Sequence, residues 1–241
     1  MSYYEYRILR ELRKWQKEMQ RPPSFIDRVT TRAKHRINRI IPEKVHRIIT
    51  EGIKQMIRVV ILGAGLTTFQ KTKQLSIENI EINIQKRIKF YRSAAATEGA
   101  LTGYGGILLS FADFPLWLSI KMKMLFEIAS HYGYDIKDYK ERIYILHIFQ
   151  LTFSSQKHRN MVYKLLANWE NQEGLLPDDL NQFNWRTFQL EYRDYIDLAK
   201  LLQLIPGFGA FVGAYINYRL TNTLGYNAMN AYRMRKYGKI K

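Results

Sequence analysis

From Ala94 to Ile120 the chain runs for 27 residues with only two charged side chains, Glu98 and Asp113. The run, AAATEGALTGYGGILLSFADFPLWLSI, is rich in glycine, contains Pro115 and is followed closely by Lys121 and Lys123. A second uncharged run, LLQLIPGFGAFVGAYINY, occupies Leu201–Tyr218 between Lys200 and Arg219. The first exceeds and the second approaches the ~20 residues of a bilayer-spanning helix, yet each is broken where such a helix must be continuous. No window of about 19 residues is uniformly apolar, so no ordinary transmembrane helix is predicted. The runs must therefore pack within a protein core or dip part-way into a membrane from one side.

Their small residues bear on both alternatives. Gly103-Tyr104-Gly105-Gly106-Ile107 matches Gly207-Phe208-Gly209-Ala210-Phe211 in pattern: glycine, aromatic, glycine, small, apolar. Ala95, Gly99 and Gly103 recur every fourth residue, as do Gly209 and Gly213. On a helix that spacing clears one strip and lets two backbones approach. An interior glycine costs about 1 kcal/mol relative to alanine, so such a cluster implies a packing or hinge role. Gly99, Gly103, Gly105, Gly106, Gly207, Gly209 and Gly213 are the predicted helix-packing positions. Trp117, Tyr215 and Tyr218, close to Lys121, Lys123 and Arg219, suit either a membrane interface or the rim of a soluble core.

Charge is concentrated at the two ends of this +17 chain. Residues 1–58 hold 15 Lys and Arg against 6 Asp and Glu, and residues 201–241 hold 6 basic residues and no acidic one. Residues 98–200 are close to neutral. Basic ends around a neutral middle favour contact with phosphate-bearing surfaces, lipid or nucleic acid, although ordinary solvated helix faces would look similar. The candidates for membrane contact in the N-terminal cluster are Arg7, Arg10, Arg13, Lys14 and Lys17. Those near the uncharged runs are Trp117, Lys121, Lys123, Tyr215 and Arg219. At the C-terminal end they are Arg233, Arg235 and Lys236.

Almost every segment has helical periodicity, and the predicted fold is all-α: a multi-helix bundle with central glycine-rich hairpins. Tyr4, Ile8, Leu12, Trp15 and Met19 form one apolar stripe. Pro22-Pro23 ends that helix, and residues 1–41 read as basic amphipathic helices, a semi-independent arm. Residues 42–241 read as the main helical domain, with glycine-rich segments at 94–120 and 201–218. Ser76 is placed to cap a helix carrying Ile77, Ile80, Ile84 and Ile88, and Gly133 to end the one before it. Residues 135–169 predict two amphipathic helices, 171–184 a loop, and 222–237 a basic helix.

Catalytic motifs are missing. There is no cysteine, hence no thiolate nucleophile, thiolate metal site or disulfide, which suits the cytoplasm. The charged N-terminus has no signal-peptide core. GxSxG, GxxxxGK[ST], HExxH and a dinucleotide fingerprint are absent. His35 and His46, like His147 and His158, stand 11 residues apart, about 16 Å along a helix and too far to share an ion. His131 reads as a helix end, where a cationic ring is favoured. Glu98 and Asp113 are the only catalytic candidates, since a carboxylate in an apolar run must be paired, protonated or functional. Asp113 equally suits capping of a helix starting at Pro115, and Glu98 an ion pair with Arg92 or Arg219.

The combination EGALTGYGG and ADFP, with LIPGFGAFVGAYINYRLTNTLGYNAMNAYR far downstream and an early ELRKW, resembles the EcsC protein family over nearly the whole chain. The resemblance implies a partly membrane-associated helical protein of a low-GC Gram-positive bacterium. It also implies an ABC-type transporter as partner, with the ATPase EcsA and the permease EcsB encoded nearby. It supplies no reaction, and a hydrolase label attached to some members finds little support in these residues. The leading expectation is a non-enzymatic, cofactor-free accessory protein on the cytoplasmic side of the cell membrane, peripheral or shallowly inserted. The alternatives are a nucleic-acid-binding helical protein, with Tyr226, Tyr232 and Tyr237 as stacking surfaces, and a hydrolase centred on Glu98 and Asp113.

Overall fold

The computed structural model describes residues 2–23, 43–62, 75–102, 114–182 and 210–238, and these form eight α-helices with no β-strand. The predicted all-α class holds. Helix α1 (Tyr3–Gln20) starts at a capping box the sequence reading missed. The Glu5 backbone N–H donates to Ser2 Oγ at 3.1 Å, and the Ser2 N–H donates to Glu5 Oε2 at 2.7 Å. The predicted stripe of Tyr4, Ile8, Leu12, Trp15 and Met19 is buried throughout. This helix is therefore built into the core; residues 24–41 of the expected arm lie outside the described residues.

Helix α2 (Glu43–Leu62) contributes Ile53, Met56, Ile57 and Val60, one face at three- and four-residue steps. Ser76 Oγ accepts from the Asn79 N–H at 3.3 Å at the start of α3 (Ile77–Thr102), whose Ile84 and Ile88 are buried. Helix α4 (Phe114–His131) ends before Gly133, whose φ of +91° is the left-handed conformation that favours glycine. Asp138 caps α5 (Tyr139–Phe153), which is followed by α6 (Gln156–Ala167) and the short α7 (Trp169–Glu173). Helix α5 differs from the amphipathic expectation. Every residue from Glu141 to Phe153 is buried, because the helix runs through the middle of the bundle.

Helix α8 (Ala210–Tyr237) is the spine. It packs along α3 and also touches α1, α4, α5 and α6. Its pairings with α3 run in opposite order along the two chains: Asn217 with Ala95, Asn222 with Arg92, Gly225 with Ile88, and Arg233 with Glu81. The two helices are therefore antiparallel. They pack tightly at Gly225, where an added Cβ would sit 2.7 Å from Ile88 Cδ1. Any larger residue there would force Ile88 to shift.

The two uncharged runs meet in this pair. Ala94–Thr102 forms the end of α3 and Ala210–Tyr218 the start of α8, with Asn217 Nδ2 donating to the Ala95 carbonyl at 3.2 Å. Gly99 and Gly213 lie on these helices, whereas Gly103, Gly105, Gly106, Gly207 and Gly209 fall outside the described residues. No helix among the described residues is long and apolar enough to cross a membrane.

Candidate basic interface

Seen along its axis, α1 is divided sharply. Successive residues turn by about 100°, which places Arg7, Arg10, Arg13, Lys14 and Lys17 within an arc of roughly 120° opposite the buried stripe. All five are exposed. Tyr3, 85 % exposed, and Tyr6, 59 % exposed, stand on the same arc at its N-terminal end. The sequence reading passed over both, although amphipathic rings beside cations are the usual signal of an interfacial face. The helix is held firmly from behind. Trp15 Nε1 donates to Asn227 Oδ1 at 2.9 Å, and Asn227 Nδ2 donates onward to Thr152 Oγ1 at 2.9 Å, tying α1 to α8 and α5.

The C-terminal cations behave differently. Arg233 is buried, and its Nε and Nη2 donate to Glu81 Oε1 and Oε2 at 2.8 and 2.5 Å. Its Nη1 donates to Glu11 Oε2 at 3.0 Å. Glu81, fully buried, also accepts from the hydroxyls of Tyr4 at 2.7 Å and Tyr132 at 2.9 Å. Burial beside this carboxylate pushes the Tyr4 phenol up to about 12. Arg235 lies across the faces of Tyr134 and Tyr144, at 4.2 and 4.8 Å from their centroids. It pairs with Glu141, which also accepts from Tyr232 Oη at 2.6 Å, and reaches Glu173 at 3.4 Å. The physical reason is the position of α8 inside the bundle: every residue from Asn227 to Met234 is buried, so a charge there must find a partner. Arg233 is thus turned away from any surface, and Arg235 is half-buried and paired.

A third network lies across α3 and α4. Arg87 Nε and Nη2 donate to Glu127 Oε2 and Oε1 at 2.5 and 2.9 Å, and Tyr91 Oη donates to Oε1 at 2.7 Å. Nearby His131 does end α4, but burial lowers its pKa, which disfavours the cationic ring the sequence suggested. His147 is pushed down to about 4 by burial, its Nδ1–H donating to Gln150 Oε1 at 2.9 Å.

The remaining predicted residues divide in the same way. Lys123, Tyr215, Arg219 and Lys236 are exposed, whereas Lys121 is fully buried. Trp117 lies on α4 and Glu98 on α3, with side chains outside the described residues; Asp113 lies outside them altogether. Neither expected partner of Glu98 is committed to a carboxylate in the described structure. Arg92 donates to Asn222 Oδ1 at 2.9 Å and lies over the Tyr218 ring, and Arg219 is exposed. Among the stacking candidates Tyr232 is fully buried, while Tyr226 is 38 % exposed. Among the described residues no group of three or more His, Asp and Glu side chains could hold a metal ion. The carboxylates of Glu81, Glu127 and Glu141 are each bound by arginine and tyrosine, an arrangement that ties helices together.

The comparisons with known proteins agree with the residues quoted above. The model of the EcsC protein family matches residues 6–236. Protein EcsC of Bacillus subtilis (strain 168) is 42 % identical over 229 residues, covering 95 % of this chain and 94 % of that protein. The uncharacterized protein YdbA of the same organism is 28 % identical over 249 residues, covering 95 % of this chain and 91 % of that one. No solved structure matches. With the family model spanning all eight helices and a relative this similar over nearly its whole length, the chain belongs to the EcsC protein family.

Proposed function

We propose that this protein is a non-enzymatic accessory protein that binds the anionic cytoplasmic face of a membrane through the outer side of α1. One observation supports the reading above the rest: five exposed cations and two exposed tyrosines share one arc of a helix anchored to the core through Trp15. A cation near an anionic leaflet contributes about 1 kcal/mol, so five give roughly 5 kcal/mol, enough for reversible docking. The Debye length of about 10 Å at 0.1 M salt makes that docking salt-sensitive. Action beside the ATPase and permease of an ABC-type transporter is carried by the family resemblance, and the peripheral face is compatible with it.

Vesicle flotation tests the membrane reading. The intact chain should float with phosphatidylglycerol vesicles at low salt, fail to float with phosphatidylcholine vesicles, and be released at moderate salt. The R10A/R13A/K14A/K17A variant should lose flotation. Retention by neutral vesicles, or an unaltered variant, would overturn the assignment. A salt-dependent shift on duplex or single-stranded DNA in place of flotation would move the nucleic-acid alternative to the front.

A further inference from the structure

The antiparallel pair α3–α8 leaves an open groove of about 470 Å³ on its outer side. The size lies within the 300–1,000 Å³ of typical ligand sites. Its floor is apolar, made by Ile88 and Met229, with Ile88 packed against Gly225. One wall, on α3, is cationic: Lys86, Lys89 and Arg92 recur every third residue, so they rise along the groove at about 4.5 Å intervals. The opposite wall, on α8, presents the polar groups of Asn222 and Tyr226. Among the described residues no carboxylate lines the groove.

The groove has an electrostatic direction. At the Tyr226 end burial, with a smaller contribution from the carboxylates of Glu11 and Glu18, raises the phenol's pKa. At the other end stands Arg92, its Nη1 on Asn222 and its plane over Tyr218. Arg92 Nε is buried with no hydrogen-bond partner among the described residues, so this guanidinium retains unused donor capacity. An anion is therefore favoured at the Lys89–Arg92 end, with apolar matter over Ile88 and Met229. A charged phosphodiester attached to hydrocarbon has that polarity; inorganic phosphate does not use the floor, and a zwitterionic lipid brings a cation to a cationic wall.

We propose that the α3–α8 groove binds the headgroup of a single anionic phospholipid, its phosphate between Lys89 and Arg92 and the start of an acyl chain on the apolar floor. This deepens, and rests on, the membrane reading above by naming the lipid class. It is tested on dissolved lipid. Titration calorimetry with the intact chain and dihexanoyl phosphatidylglycerol below its micelle concentration should show saturable binding. Dihexanoyl phosphatidylcholine and inorganic phosphate should each bind at least tenfold more weakly. K86Q/K89Q, which alters two exposed side chains, should weaken phosphatidylglycerol at least tenfold while melting like the wild type, and R92A should also weaken it at least tenfold. Absence of binding overturns the proposal, as does equal affinity for phosphate or for phosphatidylcholine, or undiminished binding by K86Q/K89Q. Dissolved lipid presents no surface, so failure here is distinct from failure of the α1 face in flotation.

Discussion

Helices α1 and α8 carry the same message in sequence, a basic helix at a chain end, and fold into opposite arrangements. In α1 the cations lie opposite a single apolar stripe and are exposed. In α8 the helix is enclosed on all sides from Asn227 to Met234, and Arg233 turns inward onto Glu81. A basic residue on a helix is thus a surface residue only if the helix has a free side. Positive charge in the first region is available for recognition; in the second it is structural, matched by carboxylates and tyrosine hydroxyls.

Removing a cation from each helix should separate the two roles most clearly. Arg233→Met leaves Glu81 fully buried without its bidentate partner, and breaking such a pair costs about 3–5 kcal/mol. Urea denaturation should show a loss of that size, with Glu81→Gln added in the double variant restoring a substantial part by removing the uncompensated charge. Arg233→Lys should also destabilise, because one ammonium cannot reproduce the fork that spans Glu81 and Glu11. A variant as stable as wild type would erase the distinction between the helices.

Titration offers a second way to examine the enclosed region. Burial raises Glu141 from 4.5 to about 7, against the opposing pull of Arg235 and Tyr232. On the same helix burial lowers His147 from 6.5 to about 4. Between pH 4.5 and 6.5 the unfolded chain protonates His147 and the folded chain does not, so this residue's contribution grows as pH rises and is lost as it falls. For Glu141 the folded chain holds the proton and the unfolded chain does not, so its contribution declines as pH rises through that window toward 7. Each effect is on the order of 3 kcal/mol over its full range. Wild-type stability should therefore change little between pH 4.5 and 6.5. E141Q should become more stable as pH rises through the window, and H147N less stable. Parallel pH profiles for the two variants would show that these groups do not titrate as their burial dictates.

A smaller effect is expected where α8 meets α3. Gly225→Ala places a methyl 2.7 Å from Ile88 Cδ1 and Cγ1 and 2.9 Å from Cγ2. Alanine gains about 1 kcal/mol of helix propensity, but overpacking costs about 1–3 kcal/mol, so a net loss of about 1 kcal/mol should appear in thermal melts. Trimming the neighbour in G225A/I88V should recover part of it. Gly174, where an added Cβ meets only ordinary contacts at 3.7 Å, is the control and should accept alanine without loss.

How far these differences could be read from sequence depends on the range of the interactions. The α1 stripe, the Ser76 cap and the Gly133 stop are local patterns of one or two turns, and each was legible. Arg233 was not, because its partner Glu81 is 152 residues away, and Arg235 reaches Glu141 across 94. Helix α5 misled for a related reason: a helix buried all round has no polar side to reveal its orientation. Of the candidate interface, the five α1 cations were visible and Tyr3 and Tyr6 were overlooked. Lys86, Lys89 and Arg92 stand at i, i+3 and i+6 in the sequence, a series passed over in its reading. Their meaning depended on α8 packing alongside, a consequence of tertiary packing that no local window contains.

The least effect on stability should come from α1, and that makes it informative. Surface substitutions away from caps and packing usually change stability by no more than about 0.5 kcal/mol. Arg10, Arg13, Lys14 and Lys17 are exposed, and no ion pair involving any of them is among those seen in the described residues. Neutralising them singly should leave the denaturation midpoint within that margin. The quadruple variant should be equally stable or slightly more so, since like charges four residues apart on a helix, such as Arg10 and Lys14 or Arg13 and Lys17, repel each other by a few tenths of a kcal/mol. Circular dichroism melts of the four single variants and of their combination decide the matter. A folded, stable quadruple variant assigns its lost flotation to recognition. A loss of several kcal/mol would make α1's cations structural like those of α8, and the contrast between the two helices would fail.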